Sequence, residues 1–460
     1  MTERFTAGRV PEAGIAELFA TPARWQAWLD VEAALARAQA ELGIIPEPAA
    51  KAISEVCTLD RLDLARIQDG IARTSHPLMP LITELATAAG EPHGRWVHWG
   101  VTTQNITQTG DVLVIRRAHE KLLGMLSELL RSLADLTERG ADMVMAGRTH
   151  GQHAVPITFG LKTASWLDEL GRHIVRLRQL APRLFVAIIG GAVGNFASLG
   201  ARGPGLQSAV ADRLGLASML VPARNISDHF AEFTGVLGLL AGTCGRIGRE
   251  IYTLMKTEYG EVEEPVPPGT VGSSTMPQKR NPQLCQDIIG ITAEIRALVP
   301  LALEAMGNEH EADHAPSMMF DVVRRSCVLT GDALTRISVV TGGLTLHPDR
   351  MRANLGLTGG AISAEAIMLE LGSTIGRQTA HEIVYEAAQT AAATGQRFVD
   401  LVKADSRITD HLSPAALTAI LDPSEHTGLS AAIAHGSAAD ARTVAVELES
   451  VGSGDSDCHG

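Results

Sequence analysis

Apolar positions recur along this chain at intervals of three and four, the period of a helix with one buried face. Over residues 23–42, Trp28, Val31, Leu35, Ala38 and Leu42 keep that interval, and Gly43 and then Pro46 end the run. Residues 111–140 carry a longer seam of Ile115, Leu122, Leu126, Leu129, Leu133 and Leu136 that closes at Gly140. Leu167, Leu170, Ile174 and Leu177 repeat it within 157–181, where Pro182 is expected to stop the helix. Further long helices are predicted at 228–259 and 283–306, with shorter ones at 317–341 and 363–394. Long helices with narrow apolar stripes belong in a bundle, where neighbours cover the stripe. No segment alternates with a period of two at comparable strength, so the pattern predicts an all-α chain.

Composition narrows this further. A chain of 460 residues is long enough for two to four domains. Aromatic residues make up only 4%, which weakens an all-β reading. The net charge of −13, without clusters of Lys and Arg, argues against nucleic acid. It leaves small anions open, because these respond to the local field of a cleft. No apolar run is long enough for a membrane span, so no membrane partner is expected. The start, MTERFTAGRVPEAG, has neither the apolar core nor the cleavage site of a signal peptide. Five scattered cysteines (Cys57, Cys244, Cys285, Cys327, Cys458) form no CxxC pair and suit a reducing cytoplasm. A cytoplasmic location is therefore expected, with a disordered tail over 451–460.

The segments between helices hold the candidate chemistry. Gly272-Ser273-Ser274-Thr275-Met276-Pro277-Gln278-Lys279-Arg280-Asn281-Pro282 offers hydroxyls, two cations, an amide and a proline suited to starting a helix. Backbone N–H groups at such a turn hold a carboxylate or an oxyanion; the competing reading is a capped linker. A serine there becomes a base only if its alkoxide is strongly stabilised. Gly147-Arg148-Thr149-His150-Gly151-Gln152-His153 places two imidazoles and a guanidinium just before a helix. Thr102-Thr103-Gln104-Asn105 supplies uncharged donors for carboxylates, or equally a helix N-cap. His310-Glu311-Ala312-Asp313-His314 matches the HExxH zinc pattern, but Gly307-Asn308 before it and Ala315-Pro316 after it suit a helix end, and no metal is expected. Gly190, Gly191 and Gly194 do not make a dinucleotide fingerprint and read as a turn that allows close packing.

These three segments together, in this order and spacing, resemble the aspartase/fumarase superfamily. GSSTMPQKRNP at 272–282 is long and specific; GRTHGQHAVP followed by TFG is similar to the adenylosuccinate lyase branch. HWGVTTQN resembles that branch and the 3-carboxy-cis,cis-muconate cycloisomerases, and similarity runs from about Arg4 to about Ile433. The resemblance implies an all-α, three-domain subunit: 1–106, a central long-helix bundle over 107–345 with a catalytic loop at 263–282, and 346–450. It also implies a homotetramer whose active sites are shared between subunits, and no cofactor. The implied reaction removes a proton next to a carboxylate and expels a group from the adjoining carbon, usually leaving fumarate. By motif position Ser273 is the base, Lys279 and Asn281 hold the dianion, and His150 is the general acid. Thr102, Thr103 and Gln152 grip carboxylates, and His76 in TSHP takes the place of a further active-site histidine. Gln104, Asn105, Arg148, Thr149, Ser274 and Met276 complete the expected substrate-binding set.

Departures from the pattern sharpen the reading. Where adenylosuccinate lyases have a cation-rich stretch like RDRH, this chain has Ser227-Asp228-His229-Phe230, and HEADHAPS has Ala312 where they have Arg. A nucleotide phosphate needs paired cations, which argues against adenylosuccinate. Cycloisomerases usually have Trp at the place of His150. Gln286 stands where the family commonly has the Glu that orients the acid His, and an amide does not stabilise imidazolium as a carboxylate does. The leading expectation is a cofactor-independent C–N lyase acting on a small N-substituted aspartate or dicarboxylate and releasing fumarate. An epimerase of an aspartate-type amine such as iminodisuccinate comes next, favoured by Gln286, then a carboxymuconate cycloisomerase. A catalytically dead homologue is disfavoured by the survival of Ser273, Lys279 and Asn281.

Overall fold

The structure, a computed structural model, describes residues 4–313 and 315–454. Four helices lead in: α1 (Thr21–Glu41), α2 (Glu47–Glu55), α3 (Leu64–Thr74) and α4 (Met79–Ala89). Then come α5 (Thr103–Arg139), a hairpin of β1 (Val144–Thr149) and β2 (Gln152–Thr158), and α6 (Phe159–Leu184). Strand β3 (Val186–Ala187), α7 (Gly203–Leu214), β4 (Ala217–Ser218), α8 (Asp228–Leu254) and β5 (Val262–Glu263) follow. Next are α9 (Gln283–Glu304), α10 (Pro316–Gly343), β6 (Thr345–Leu346) and α11 (Pro348–Leu355). The chain continues through α12 (Ala364–Ile375), α13 (Arg377–Thr394), α14 (Phe398–Ala404), α15 (Ser406–Thr409) and α16 (Pro414–Ile420), and α17 (Ser430–Gly454) is the last described helix.

Helices α5, α6, α8, α9, α10 and α17 pack side by side as the bundle that the apolar seams require. Leu122, Leu126, Leu129 and Leu133 of α5 are fully buried, each contributing roughly 1.5–3 kcal/mol of transfer free energy. Helices α8 and α9 lie close because glycines face α9: a Cβ at Gly238, Gly245 or Gly248 would sit 2.5 Å from Val299, 2.6 Å from Thr292 and 2.9 Å from Ile288, respectively. A separate small core joins α12 to α16 through Ile367, Leu371, Ile383, Phe398, Val402 and Leu417.

Several expected boundaries move. Helix α5 starts at Thr103, eight residues earlier than its seam, because Thr102 and Asn105 form a capping box; a domain boundary at 106 would cut this helix. Pro182 does not end α6, since so near the helix end it removes a single bond. Helix α10 has 28 residues and is no shorter than its neighbours, whereas 363–394 breaks in two at Gly376, whose φ of +85° only glycine adopts readily. Helix α17 returns to α5 and α6, where Ser127 donates to Ala445 O at 3.0 Å. Residues 451–454 extend α17, and 455–460, with Cys458, lie outside the described residues. Among the described residues, no helix is long and apolar enough to cross a membrane.

One buried histidine in the bundle gives the fold a pH dependence. His173 of α6 is 3% exposed; its Nε2 meets Thr243 Oγ1 at 2.7 Å, and Thr243 donates to Glu169. Burial first, then Arg176 beside Nδ1, holds its pKa down to about 4. The folded state therefore excludes a proton that the unfolded chain takes up near pH 6.5. The stability this group confers is present above pH 6.5 and is lost as pH falls towards 4, by on the order of 3 kcal/mol. Thermal midpoints measured between pH 7 and pH 4 should fall, and His173→Gln should flatten that fall; an equal slope in the variant would refute the assignment.

Candidate functional site

The Thr102–Gln104 segment, at the start of α5, lines a cavity of about 440 Å³ together with His76. Other walls come from α1 (Arg24, Trp28), the entry to α8 (Arg224, Ser227, Phe230) and α10 (Met319, Phe320). His76 sits before α4, and its Nδ1 accepts the backbone N–H of Leu78 (3.2 Å) and Met79 (3.0 Å). A ring so held carries its neutral-state proton on Nε2, which lies 3.5 Å from Thr103 Oγ1. The histidine is thus fixed by a helix N-terminus and presents a donor beside the threonines.

Two of the expected binders also make scaffold contacts. Asn105 is fully buried; its Oδ1 accepts from Thr102 N and Gly191 N at 3.1 Å each, which caps α5 and fastens the 190–194 turn. Gln104 is engaged with Arg224: its Oε1 accepts from Arg224 Nε at 2.6 Å, and its Nε2 donates to Arg224 O and Gln108 Oε1. Gln104 therefore orients a cation that the sequence reading missed. Arg224 lies three residues before Ser227-Asp228-His229-Phe230, so the stretch that lacks RDRH still delivers a guanidinium to the cavity. Arg24 is a second missed cation, but it is paired with Asp111 at 2.6 and 2.7 Å and stacks on Phe320.

The GRTHGQH segment is a β-hairpin, not a helix connector. Thr149 pairs with Gln152, and His150 (φ +52°) and Gly151 (φ +76°) form the two-residue tip. Both central residues have positive φ, which suits the twist of the flanking strands, and a histidine held there is strained. Thr149, His150 and Gln152 are all exposed at this tip. Arg148, by contrast, faces inward. Its fork meets Glu261, which is fully buried, at 2.6 and 3.0 Å, and Asn354 donates to the same carboxylate at 2.7 Å. The charge of Arg148, expected on the substrate side, is thus matched inside the protein by Glu261. His153 stays below the ordinary histidine range through burial and then Arg148.

The Ser273 loop hangs between β5 and α9. Ser273 Oγ accepts the backbone N–H of Met276 at 3.2 Å and of Thr275 at 3.4 Å. Asn281 Nδ2 donates to Gly272 O at 2.6 Å and closes the loop on itself. Gly272 is required there: a Cβ would lie 2.2 Å from Lys279 O. Ser274, Met276, Lys279 and Arg280 are exposed, with Arg280 3.7 Å from Glu263. Lys279 and Asn281 line a second cavity within the loop.

The structure thus joins His76, Thr102, Thr103 and Gln104 in one cavity, and among the described residues neither 147–153 nor 272–282 lines it. The hairpin packs on α11, and the loop surrounds its own cavity. The first part of the HExxH match is a tight turn, with Glu309 bridged to Ala312 and His310 at φ +53°, so it presents no helical face; His314 lies outside the described residues. Gly190 and Gly194 pack against Pro222 so closely that a Cβ would sit within 2.7 Å of its carbonyl oxygen, in line with a close-packed turn.

A family model described as lyase matches residues 9–297, and one described as adenylosuccinate lyase C-terminus matches 360–435. An N-acetyl-S-(2-succino)cysteine lyase of Enterococcus italicus is 40% identical over 405 residues, covering 88% of this chain and 89% of that protein. A 3-carboxy-cis,cis-muconate cycloisomerase of Pseudomonas aeruginosa is 39% identical over 418 residues, covering 89% and 90%. The crystal structure of a fumarate lyase from a Mesorhizobium species superposes with a TM-score of 0.87 at 33% identity, covering 95% of this chain and 99% of that one. The chain belongs to the lyase family of the aspartase/fumarase superfamily. It is an enzyme, a lyase or isomerase of a superfamily that acts on dicarboxylates.

Two substitutions separate scaffold from site. Arg148→Ala strands the buried Glu261 carboxylate and should cost roughly 3–5 kcal/mol, read as a lowered denaturation midpoint. Gly272→Ala displaces the loop without touching the core; turnover should fall ~100-fold at an unchanged thermal midpoint. Full turnover in the second variant would show that the loop geometry does not matter.

Proposed function

We propose that this enzyme abstracts the C3 proton of a 2-substituted succinate with Ser273 and expels the C2 substituent, releasing fumarate. The observation that carries this reading is the pair of backbone N–H groups, from Thr275 and Met276, aimed at Ser273 Oγ. They stabilise the alkoxide that a serine base needs. Lys279 and Asn281, on the same loop, face the enediolate that forms as the proton leaves. Thr102, Thr103 and His76 Nε2 bind a carboxylate with neutral donors, and Arg224 adds a positive charge beside them. The apolar side chains of Trp28, Phe230, Met319 and Phe320 accommodate the substituent. The three segments work together in a homotetramer, each subunit lending one segment to a shared site.

The leaving group is sulfur. As the C2–S bond breaks, its electron pair departs on a thiolate, a base weak enough to leave without prior protonation because thiols ionise around pH 8.5. An amine must instead be protonated as it leaves, and the neutral Gln286 gives His150 no carboxylate for that task. The relative from Enterococcus italicus carries a sulfur-linked succinyl group in its name. This reverses the order of leaving groups expected from the sequence, where nitrogen comes first. Gln286 also favours the epimerase, which returns a proton and needs no leaving-group acid.

A panel of S-succinyl thiols, N-succinyl amines and carboxymuconate tests the reading. Fumarate absorbance should rise with the thioethers first, and Ser273→Ala should lower that rate about 10³-fold. Loss of optical rotation without fumarate would establish the epimerase, and lactone from carboxymuconate the cycloisomerase. Undiminished turnover by Ser273→Ala would remove the serine base from every version.

A further inference from the structure

The segment before α1 is docked across the bundle and reaches the Ser273 loop. Arg4 donates to Glu294 at 2.6 Å, and the Thr6 hydroxyl sits between Asp287 and the buried Arg336. Ile15, 1% exposed, fills a recess over Gly331, where a Cβ would come within 2.8 Å of it. Between these stations lies Arg9, whose side chain is 12% exposed. Its Nη2 donates to Pro265 O at 2.7 Å, and its Nη1 donates to Gln283 Oε1 at 2.9 Å. Pro265 begins the Ser273 loop, and Gln283 opens α9 just after it. One planar fork therefore spans both stems of the loop. Behind it, Glu264 lies 3.6 Å from Nη2 and accepts the N–H groups of Leu284 and Cys285 at 3.0 Å each.

We propose that Arg9 is a positioning residue for the reaction: its guanidinium clasps the two stems of the loop and fixes where Ser273, Lys279 and Asn281 stand. The inference rests on the reading that this loop bears the base. Two bonds diverging from one rigid plane set the separation of the stems, which an ammonium on a flexible chain does not do. Arg9 does not touch the substrate; it acts through the loop, where a displacement near 1 Å costs about 10²-fold in rate.

The test uses the full-length chain with Arg9→Ala and Arg9→Lys. Turnover should fall about 30-fold in both, the loss expected from bonds to a charged group, while KM changes less than about threefold. Millimolar methylguanidinium should restore at least about tenfold to Arg9→Ala and nothing to Arg9→Lys, whose own side chain fills the site. Trypsin should cut after Lys279 or Arg280 several-fold faster in Arg9→Ala than in the unaltered chain, with other sites cut no faster. Unchanged turnover with unchanged loop cleavage would overturn the proposal. So would a rate loss that methylguanidinium does not repair and that comes with faster cleavage throughout the chain. The cleavage measurement needs no substrate, so it separates failure of the clasp from failure of the proposed reaction.

Discussion

Two buried carboxylates three residues apart, Glu261 and Glu264, are the constraint on which the site depends. Neither is more than 1% exposed, and an isolated carboxylate in such a place would cost several kcal/mol. Each is compensated from a different direction. Glu261 takes the Arg148 fork and Asn354, tying the hairpin and α11 to this segment. Glu264 takes two N–H groups at the start of α9, where the helix dipole also favours a negative charge, and lies beside Arg9. Between them β5 pairs with β6. The His150 tip and the Ser273 loop are thus both referenced to four residues of backbone, although one comes from a hairpin and the other from a loop over a hundred residues later.

The helices were readable because a narrow Leu-rich stripe has one period and one use. Ile115, Leu122, Leu126, Leu129, Leu133 and Leu136 are all buried in the bundle. The hairpin was not readable. Val144–Thr158 has no sustained alternation, since Gly147 and Pro156 interrupt it and a bulge separates Ala146 from Arg148. Its strands pair with each other across the His150–Gly151 tip, and β1 also packs on α11, a contact some two hundred residues away. The candidate site divides the same way. The segments that carry candidate chemistry stand out by residue type and spacing, but the contacts that Gln104, Asn105 and Arg148 make with their partners do not. Those partners, Arg224, Gly191 and Glu261, are distant in sequence, and no local pattern announces them. Arg9 and Glu264 escaped for the same reason.

Pairing also changes the electrostatic picture of an acidic chain whose superfamily acts on dicarboxylates. With net charge −13, the site would seem to need a cluster of cations. Yet Arg148 is matched by Glu261, Arg24 by Asp111, and Arg280 stands near Glu263. In the proposed reaction a dicarboxylate meets oriented neutral donors (hydroxyls, the His76 Nε2–H and backbone N–H groups) together with two cations, Arg224 and Lys279. Fixed dipoles suit the proposed reaction. They are already aimed before charge develops on the enediolate, and Lys279 on the same loop adds its charge where that enediolate forms.

That argument extends to the leaving group. At a site of this kind Gln286, an amide, does not stabilise an imidazolium at His150 as a carboxylate would. Such a site favours substrates whose substituent departs with its own electron pair and tolerates the resulting charge. A thiolate meets that demand, and the walls of Trp28, Met319 and Phe320 suit a polarisable sulfur better than a strongly hydrated amine. Under the proposed function, Gln286 weakens nitrogen as a leaving group from the acid side, and the apolar walls favour sulfur from the pocket side.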